Sequence, residues 1–263
     1  MDEAVKKVGR LSALEKALAI LEIITDQPQS IGLPDLTSRT GLPRQTLHRL
    51  LKQLEAEGLI VRDPSRVRFS IGPRLARLSM NALLSTNQDA PVRTILQSLV
   101  DDIHETCNLG VLDGMEFMYL ERIETDWTLR VSLQAGSRVP AHSSAGGKML
   151  LANLPGPLRK RLLKAAPLNA FTKFTITDAG QLEEHLRGIR ELGYSLNNQE
   201  TTIGIIGVAV PVLDQSGKSL AALACHAPSA RVSPEEIIGH VHRLRQAAKD
   251  MAPVWDDPID ANL

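Results

Sequence analysis

Residues 41–54 read Gly-Leu-Pro-Arg-Gln-Thr-Leu-His-Arg-Leu-Leu-Lys-Gln-Leu, and this stretch decides the fold of the N-terminal part of the chain. Pro43 is typical of the first turn of a helix. The leucines recur at three- and four-residue steps, which predicts one buried helical face made by Leu47, Leu50, Leu51 and Leu54. A shorter helix is predicted over residues 34–40, with Gly41 as a left-handed stop. Two helices joined by a glycine-containing turn of about three residues have the spacing of a helix-turn-helix.

The sequence on either side predicts a preceding helix and a following β-hairpin. Residues 12–15, Ser-Ala-Leu-Glu, have the form of a capping box, in which the serine and the glutamate each satisfy a free amide of the first turn. The apolar face of this first helix is predicted to contain Leu11, Leu14, Leu18, Leu21 and Ile24. After Gly58, two short runs that favour strands flank the turn residues 63–65. A hairpin in this position is a wing.

Basic residues are concentrated in this region although 30 Lys and Arg balance 30 Asp and Glu in the whole chain. Residues 39–77 contain nine basic residues against three acidic ones, Glu55, Glu57 and Asp63. Such a local surplus favours a surface that faces a polyanion. Recognition helices read DNA with the face opposite the core. We therefore predict DNA contacts from Arg44, Gln45, Thr46, His48, Arg49 and Lys52 on the third helix, and from Arg62, Arg66 and Arg68 on the wing.

The remainder of the chain mixes strands and helices without strict βαβ alternation, which predicts an α+β domain with an antiparallel sheet. A connecting helix is predicted over residues 73–85, and a long amphipathic helix over residues 90–107 that ends at a buried Cys107. Strands are predicted at residues 108–113, 116–123, 128–133, 194–197, 203–213 and 220–226. Further helices are predicted at residues 145–154, 157–165, 178–192 and 233–251.

Composition excludes several classes of protein. The chain has 263 residues with only two cysteines, which excludes a disulfide scaffold and a cysteine-rich zinc site. The longest nearly pure apolar run, residues 203–213, is too short to cross a bilayer. The acidic N-terminal residues do not form a secretory signal. We therefore expect a cytoplasmic protein without membrane contacts.

Three ordered stretches resemble the IclR family of bacterial transcriptional regulators. They are residues 41–51, the segment 136–148 around Ser-Ala-Gly-Gly-Lys, and the segment 193–200 with its continuation to Pro-Val-Leu-Asp at 211–214. The resemblance implies a winged helix-turn-helix domain over residues 1–72, a linker helix over 73–88 and a GAF-like effector-binding domain over 89–263. It also implies a homodimer, or a homotetramer built as a dimer of dimers, that binds double-stranded operator DNA.

The same resemblance implies a site for a small organic acid. Backbone amides at a helix start favour a carboxylate, and similar proteins hold the acid at the positions of Ala145 and Gly146, which follow Ser144. The chain departs from the family pattern at two positions. It has Asn197 where an acidic residue or Ser is usual, and Gly207 where Cys, Ser or Ala is usual. Because these changes remove charge and volume, we expect a larger, aromatic or branched, carboxylate. The predicted ligand-binding residues are Ser144, Ala145, Gly146, Asn197, Gly207, Ala224 and His226.

We expect no catalytic activity, no cofactor and no metal site. The neighbouring pairs His142-Ser143 and Cys225-His226 have no third orienting group. A metal site made by His142, Cys225, His226 and His240 lacks diagnostic spacing. The sequence therefore predicts a ligand-responsive repressor of a catabolic operon. Two alternatives stay open, an activator of the same architecture and a small-molecule sensor that acts mainly through protein contacts.

Overall fold

The computed structural model describes residues 12–27, 29–63, 67–86, 91–127 and 133–254. The chain divides into two compact units, Met1–Leu83 and Leu84–Leu263. Most of the strand predicted at residues 128–133 and the wing residue Arg66 lie outside the described residues.

The N-terminal unit contains a trihelical core with a small antiparallel sheet. Its helices are α1 (Ala13–Thr25), α2 (Leu33–Thr40) and α3 (Arg44–Ala56), and its strands are β1 (Ile31–Gly32), β2 (Ile60–Asp63) and β3 (Arg68–Ile71). The strands lie in the order β1-β3-β2, so the predicted two-stranded wing gains a third strand. Sequence periodicity missed β1 because two residues are too few to show an alternation. Helix α4 (Pro73–Thr86) follows the wing, as predicted.

The helix-turn-helix has the local geometry that the sequence indicates. Gly41 follows α2 with φ of +62°, and its amide donates to the carbonyl of Thr37. Leu42 in the turn is buried. All four leucines predicted to face the core of α3 are buried as well. The capping box of α1 is also confirmed, with Ser12 and Glu15 each bonded to the other's backbone amide.

The predicted buried face of α1 is confirmed at Ile24 and, in part, at Leu21, but it is wrong at Leu14 and Leu18. Leu11 lies outside the described residues. Leu14 is 69% exposed and Leu18 is 47% exposed, whereas Ile20 and Ile24 are buried in the core with α2 and α3. Apolar residues occupy more than one face of this helix, so periodicity permits two orientations. Contacts with the rest of the unit select the isoleucine face.

The C-terminal unit is built on a six-stranded antiparallel sheet. Its strands are β4 (Thr106–Asp113), β5 (Glu116–Ile123), β6 (Arg138–Pro140), β7 (Ser195–Asn198), β8 (Ile205–Leu213) and β9 (Ser219–Pro228). They lie in the order β6-β5-β4-β9-β8-β7. The middle of the sheet therefore joins β4 to β9, two strands that are more than 100 residues apart. This arrangement confirms the α+β class.

Helices cover both faces of this sheet. Helices α5 (Pro91–Ile103), α9 (Pro234–Gly239) and α10 (Val241–Met251) enclose one hydrophobic cluster. Helices α6 (Ala145–Asn153), α7 (Gly156–Ala165) and α8 (Ala179–Leu192) contribute to a second cluster with β5, β8 and β9. A short 3₁₀ helix, Ala252–Val254, follows α10. None of the helices in the described segments is both long and apolar enough to span a membrane.

Two predicted helices are shorter than their patterns indicate. The helix predicted to end at Cys107 stops at Ile103, because His104 adopts a positive φ of 57° and the chain then enters β4. Cys107 is buried, as expected, but within a strand. The closing helix divides into α9 and α10 at Gly239 and His240, where glycine has low helix propensity.

The orientation of α1 yields a stability prediction. Ile20→Ala should lower the free energy of unfolding of the N-terminal unit by about 2–5 kcal/mol, because it removes buried methyl groups and leaves a cavity. Leu18→Ala, on the exposed face of the same helix, should change it by less than about 0.5 kcal/mol. Urea unfolding followed by circular dichroism measures both. A larger loss for Leu18→Ala would restore the face that the sequence predicts.

Candidate nucleic-acid interface and ligand site

The surface of α3 is polar on the side opposite its leucines. The side chains of Arg44, Gln45, His48, Arg49 and Lys52 are exposed, and Thr46 is half-buried beside them. Leu47, Leu50, Leu51 and Leu54 hold the opposite side of the helix in the core, which fixes the orientation of the polar side. The structure therefore brings these six predicted residues together on one accessible surface, while their contact with DNA stays a prediction.

The wing differs from the prediction at Arg68. Arg62 is exposed, but the guanidinium of Arg68 donates from Nε to the carbonyl oxygen of Ser30 at 2.8 Å and to its hydroxyl at 3.2 Å. A second nitrogen of the same group also donates to the carbonyl of Ser30. Arg68 joins β3 to the segment before β1, so its guanidinium is engaged in the fold. Arg66 lies outside the described residues.

The start of α6 is buried and lacks a side-chain cap. Ser144 is the N-cap residue, and its side chain makes no capping hydrogen bond. All residues from Ala145 to Ala152 are buried. The hydroxyl oxygen of Ser144 is itself buried without a hydrogen-bond partner among the described residues. A buried helix start of this kind leaves amide and hydroxyl donors available to a ligand.

Strand β7 and the loop after it are tied to this helix start by hydroxyl groups. Thr201 donates to the carbonyl oxygen of Ser143 at 2.8 Å, and Ser195 donates to the carbonyl oxygen of Ala145 at 2.6 Å. Asn197 closes the loop, because its Oδ1 accepts from the amide of Glu200 at 2.8 Å. The acceptor of Asn197 is thus engaged by the backbone.

A buried ion pair that the sequence analysis missed lies beneath the same loop. Lys148 of α6 is fully buried, forms an ion pair with Glu200 and donates to the carbonyl oxygen of Leu196 at 2.7 Å. Burial lowers the pKa of Lys148, and the charge of Glu200 opposes that shift. Burial and the nearby Lys148 also lower the pKa of His185 to about 4. A lysine within an otherwise apolar helix was the available signal in the sequence.

The predicted ligand-binding residues of the strands lie in adjacent rows across the sheet. Asn197 on β7 is opposite Gly207 on β8, and Gly207 is opposite His226 on β9. Ala224 lies opposite Ala209 in the next row, in the same hydrophobic cluster as Ala145. Directly opposite residues project to the same face of a sheet. The structure therefore places all seven predicted ligand-site residues on the side of the sheet that α6 covers.

Gly207 does not leave the open volume that the sequence predicts. A methyl group added at Gly207 would lie 2.7 Å from Cδ2 and 3.1 Å from Nε2 of His226. The imidazole therefore occupies the space that the missing side chain leaves. Burial lowers the pKa of His226 to about 3, and the positive charge of Arg122 adds to that shift. The imidazole is consequently neutral at physiological pH.

At the start of α6, as at Gly207, a ring of the protein fills the space beside a glycine. A methyl group added at Gly146 would lie 2.5 Å from the ring of Phe117, and one added at Gly110 would lie 2.4 Å from it. The Phe117 ring fits between these two backbones and makes an edge contact with Tyr119, with ring centroids 5.3 Å apart. The small residues near the site thus accommodate rings of the protein itself.

Two further polar residues on this face were not predicted. The amide nitrogen of Asn108 is 2.9 Å from Nδ1 of His226, and Arg122 lies opposite Asn108 in the sheet. The side chain of Arg122 is 3% exposed, and its Nε is 3.5 Å from a carboxylate oxygen of Glu124. No local motif indicates these residues, because only the strand register makes them neighbours of His226.

The residues considered for catalysis or metal binding have other surroundings. Cys225 belongs to the cluster under α5 and α10, whereas its neighbour His226 projects to the opposite face. His142 has its Nε2 3.0 Å from the carbonyl oxygen of Asn169. Within the described ranges, no group of three His, Cys, Asp or Glu residues could hold a metal ion.

The contact between Gly207 and His226 yields a second prediction. Gly207→Ala should lower the free energy of unfolding by about 1–3 kcal/mol, because the new methyl group displaces the imidazole. Combined with His226→Ser, it should cost less than the sum of the two single variants. Gly188→Ala on α8 is the matched control, since an added methyl group there meets no atom within 4 Å. Additive losses in calorimetry would contradict the contact.

Sequence comparisons match both units. The model of the IclR helix-turn-helix domain matches residues 13–64, and that of the C-terminal domain of the bacterial transcriptional regulator IclR matches residues 80–252. The probable transcriptional regulator SauR of Cupriavidus necator is 42% identical over 93% of this chain and 97% of its own. The transcriptional repressor IclR of Escherichia coli is 29% identical over 92% and 89%. The p-hydroxybenzoate hydroxylase transcriptional activator of Acinetobacter baylyi is 31% identical over 95% and 93%.

Solved structures agree with these matches. The Thermotoga maritima IclR structure superposes with a TM-score of 0.58 at 27% identity, covering 91% of this chain and 97% of its own. A double mutant of the PobR inducer-binding domain from Acinetobacter, in complex with 3-hydroxybenzoic acid, gives a TM-score of 0.57 at 32% identity over 61% and 94%. The helix-turn-helix, the curled antiparallel sheet and these matches together show that the chain belongs to the IclR family of bacterial transcriptional regulators.

Proposed function

We propose that this regulator is a repressor of a catabolic operon and that its effector is a small organic carboxylate. The observation that carries the effector assignment is the buried start of α6, where the amides have no side-chain cap and the Ser144 hydroxyl has no partner among the described residues. Buried donors without partners are costly. A carboxylate supplies acceptors for them, and the helix dipole favours its charge.

The rings of His226 and Phe117 limit the size of effector that fits without rearrangement. The complex of the PobR domain with 3-hydroxybenzoic acid supports an aromatic acid, and the sequence of this chain favours an aromatic or branched one. His226 and Phe117, however, fill the space beside Gly207 and Gly146. We therefore expect compact acids to bind without rearrangement, and aromatic or branched acids to require one of these rings to move.

We further propose that α3 reads a palindromic operator. Arg44, Gln45, Thr46 and His48 lie in the N-terminal half of the helix, where base contacts concentrate. Arg49, Lys52 and Arg62 hold phosphates. A homodimer, alone or within a dimer of dimers, would bind half-sites about one helical turn, roughly 34 Å, apart or a multiple of it. Such a regulator acts in the cytoplasm, where bacterial DNA lies.

Regulation follows from linkage between the two binding sites. An effector changes DNA affinity only through its different affinities for the DNA-competent and incompetent geometries of the protein. Our domain assignment, with residues 1–72 for DNA, 73–88 as linker and 89–263 for the effector, makes α4 the coupling element. The boundaries and the coupling role are part of the proposal.

An activator of the same architecture is the second candidate. The Acinetobacter baylyi relative is an activator and the Escherichia coli relative is a repressor, so either sign is compatible with this fold. A sensor that acts mainly through protein contacts is the third candidate. The exposed polar surface of α3 favours DNA binding over that alternative.

Replacing Arg44 and Gln45 by Ala tests the DNA-reading role. Each bidentate base contact discriminates by about 1–3 kcal/mol, so the double variant should bind operator at least about tenfold more weakly. Fluorescence anisotropy with operator and scrambled duplexes at one salt concentration measures the loss. Gln53→Ala with Glu55→Ala, exposed near the C-terminal end of α3, is the matched control. Operator binding that survives the Arg44 and Gln45 changes would favour the protein-contact sensor.

Replacing Ser144 by Ala tests the carboxylate site. The wild-type protein is first screened by thermal shift against aliphatic, branched and aromatic acids, because a ligand of the folded state raises the melting temperature by mass action. A hydrogen bond to a charged group contributes about 1.5–3 kcal/mol. Ser144→Ala removes such a bond, so it should weaken binding of an acid found in the screen roughly tenfold or more. The variant's own melting temperature should not fall, since this hydroxyl has no partner among the described residues.

Ser195→Ala provides the contrast for that experiment. Its hydroxyl donates to the carbonyl oxygen of Ala145, so this variant should lose stability even without ligand. A hit whose affinity is unchanged by Ser144→Ala would place the carboxylate elsewhere. A screen in which no acid shifts the melting temperature would contradict a carboxylate effector.

A further inference from the structure

We infer that Asn108, Arg122 and His226 form a second polar subsite of the effector site, and that this subsite binds a hydroxyl group carried by the carboxylate effector. The inference rests on the proposed function, which places the carboxylate itself at the start of α6. The three residues belong to β4, β5 and β9, which are adjacent strands of the larger sheet.

The subsite faces the same side of the sheet as α6. Asn108 lies directly opposite Ala224 on β9 and Arg122 on β5, and directly opposite residues project to the same face. His226 is two residues from Ala224 along β9, so it projects to that face as well. Ala224 shares a hydrophobic cluster with Ala145, the first residue of α6. Asn108 is therefore one strand spacing, about 4.8 Å, from a residue in the layer under α6.

This subsite offers one free acceptor and one donor. Asn108 is fully buried, and its amide nitrogen donates to Nδ1 of His226 at 2.9 Å. The Oδ1 atom of Asn108 is buried without a hydrogen-bond partner in the described part of the chain. Because the pKa of His226 is lowered to about 3 by burial and by Arg122, the imidazole is neutral. A neutral imidazole that accepts at Nδ1 carries its proton on Nε2.

A hydroxyl matches these groups better than a second acidic group does. The free atom of Asn108 is an acceptor, which repels a carboxylate and requires a donor. The positive charge of Arg122 already faces Glu124, with 3.5 Å between Nε and the carboxylate oxygen. A hydroxyl both donates and accepts, so it can bond to Asn108 Oδ1 or to the proton on His226 Nε2. An acid without a hydroxyl would leave the buried acceptor unpaired.

Matched pairs of acids test the inference on the full-length protein. Isothermal titration compares propionate with lactate, butyrate with 3-hydroxybutyrate, and benzoate with 3-hydroxybenzoate, and malonate and succinate serve as dianions. In each pair that binds, the hydroxylated acid should bind about tenfold more tightly. Asn108→Ala should remove that preference, so that the ratio of the two affinities within a pair falls to about one. Ser144→Ala should instead weaken both members of a pair by the same factor.

A measurement on the wild-type protein covers the case in which Asn108→Ala does not fold. Nitrogen-15 NMR of the histidine side chains should show His226 in the Nε2–H tautomer at pH 7. Its signals should move on addition of the hydroxylated acid more than on addition of the unsubstituted one. Asn108→Ser, which keeps a side-chain oxygen, should retain part of the preference.

The outcomes separate this inference from the proposed function. Equal affinities within every pair, or an Nδ1–H tautomer of His226, would overturn the inference and leave the carboxylate site intact. Tighter binding of the dicarboxylates that is lost in Arg122→Gln would show that the subsite binds a second acidic group, and would overturn it as well. If no acid of any kind binds, the proposed effector class fails and the hydroxyl subsite fails with it.

Discussion

The buried ion pair of Lys148 and Glu200 is the interaction on which the proposed ligand site depends. A charged lysine inside α6 is stable only with a partner, because removing one member of a buried pair leaves an uncompensated charge that costs about 3–5 kcal/mol. Glu200 supplies that charge from the loop after β7, and Lys148 also bonds to the carbonyl of Leu196. Lys148 therefore joins α6 to the strand that carries Asn197 and to the loop after it, in addition to the hydroxyl bonds of Ser195 and Thr201.

Complementarity between glycines and rings shapes the remainder of the site. The imidazole of His226 covers Gly207, and the ring of Phe117 lies between Gly110 and Gly146. Each ring needs its glycine, because protein interiors are too closely packed to absorb an extra methyl group. The effect of a substitution at the glycine therefore depends on which ring lies beside it, and the effect of a substitution at the ring depends on the glycine. This coupling is why a glycine in the sequence did not mean open space in the structure.

The sequence predicted the DNA-binding unit in more detail than the ligand site. Capping at Ser12, the stop at Gly41 and the leucine face of α3 are local signals, and the structure has all three. Leu14 and Leu18 of α1 were wrongly assigned to the core because the apolar residues of this helix permit two orientations. The engagement of Arg68 by Ser30 was missed because the two residues are 38 positions apart.

By itself, the sequence determined most of the helices, the longer strands, the family and the residues of α6, since each depends on a local pattern of side chains or on a motif read in order. Only the tertiary structure decided which side chains meet. The register of β4 with β9 brings Asn108 to His226, 118 positions along the chain, and the pairing of β4 with β5 places Arg122 beside them. Register is set by packing of whole strands against both helical layers, and no short stretch of sequence contains that information.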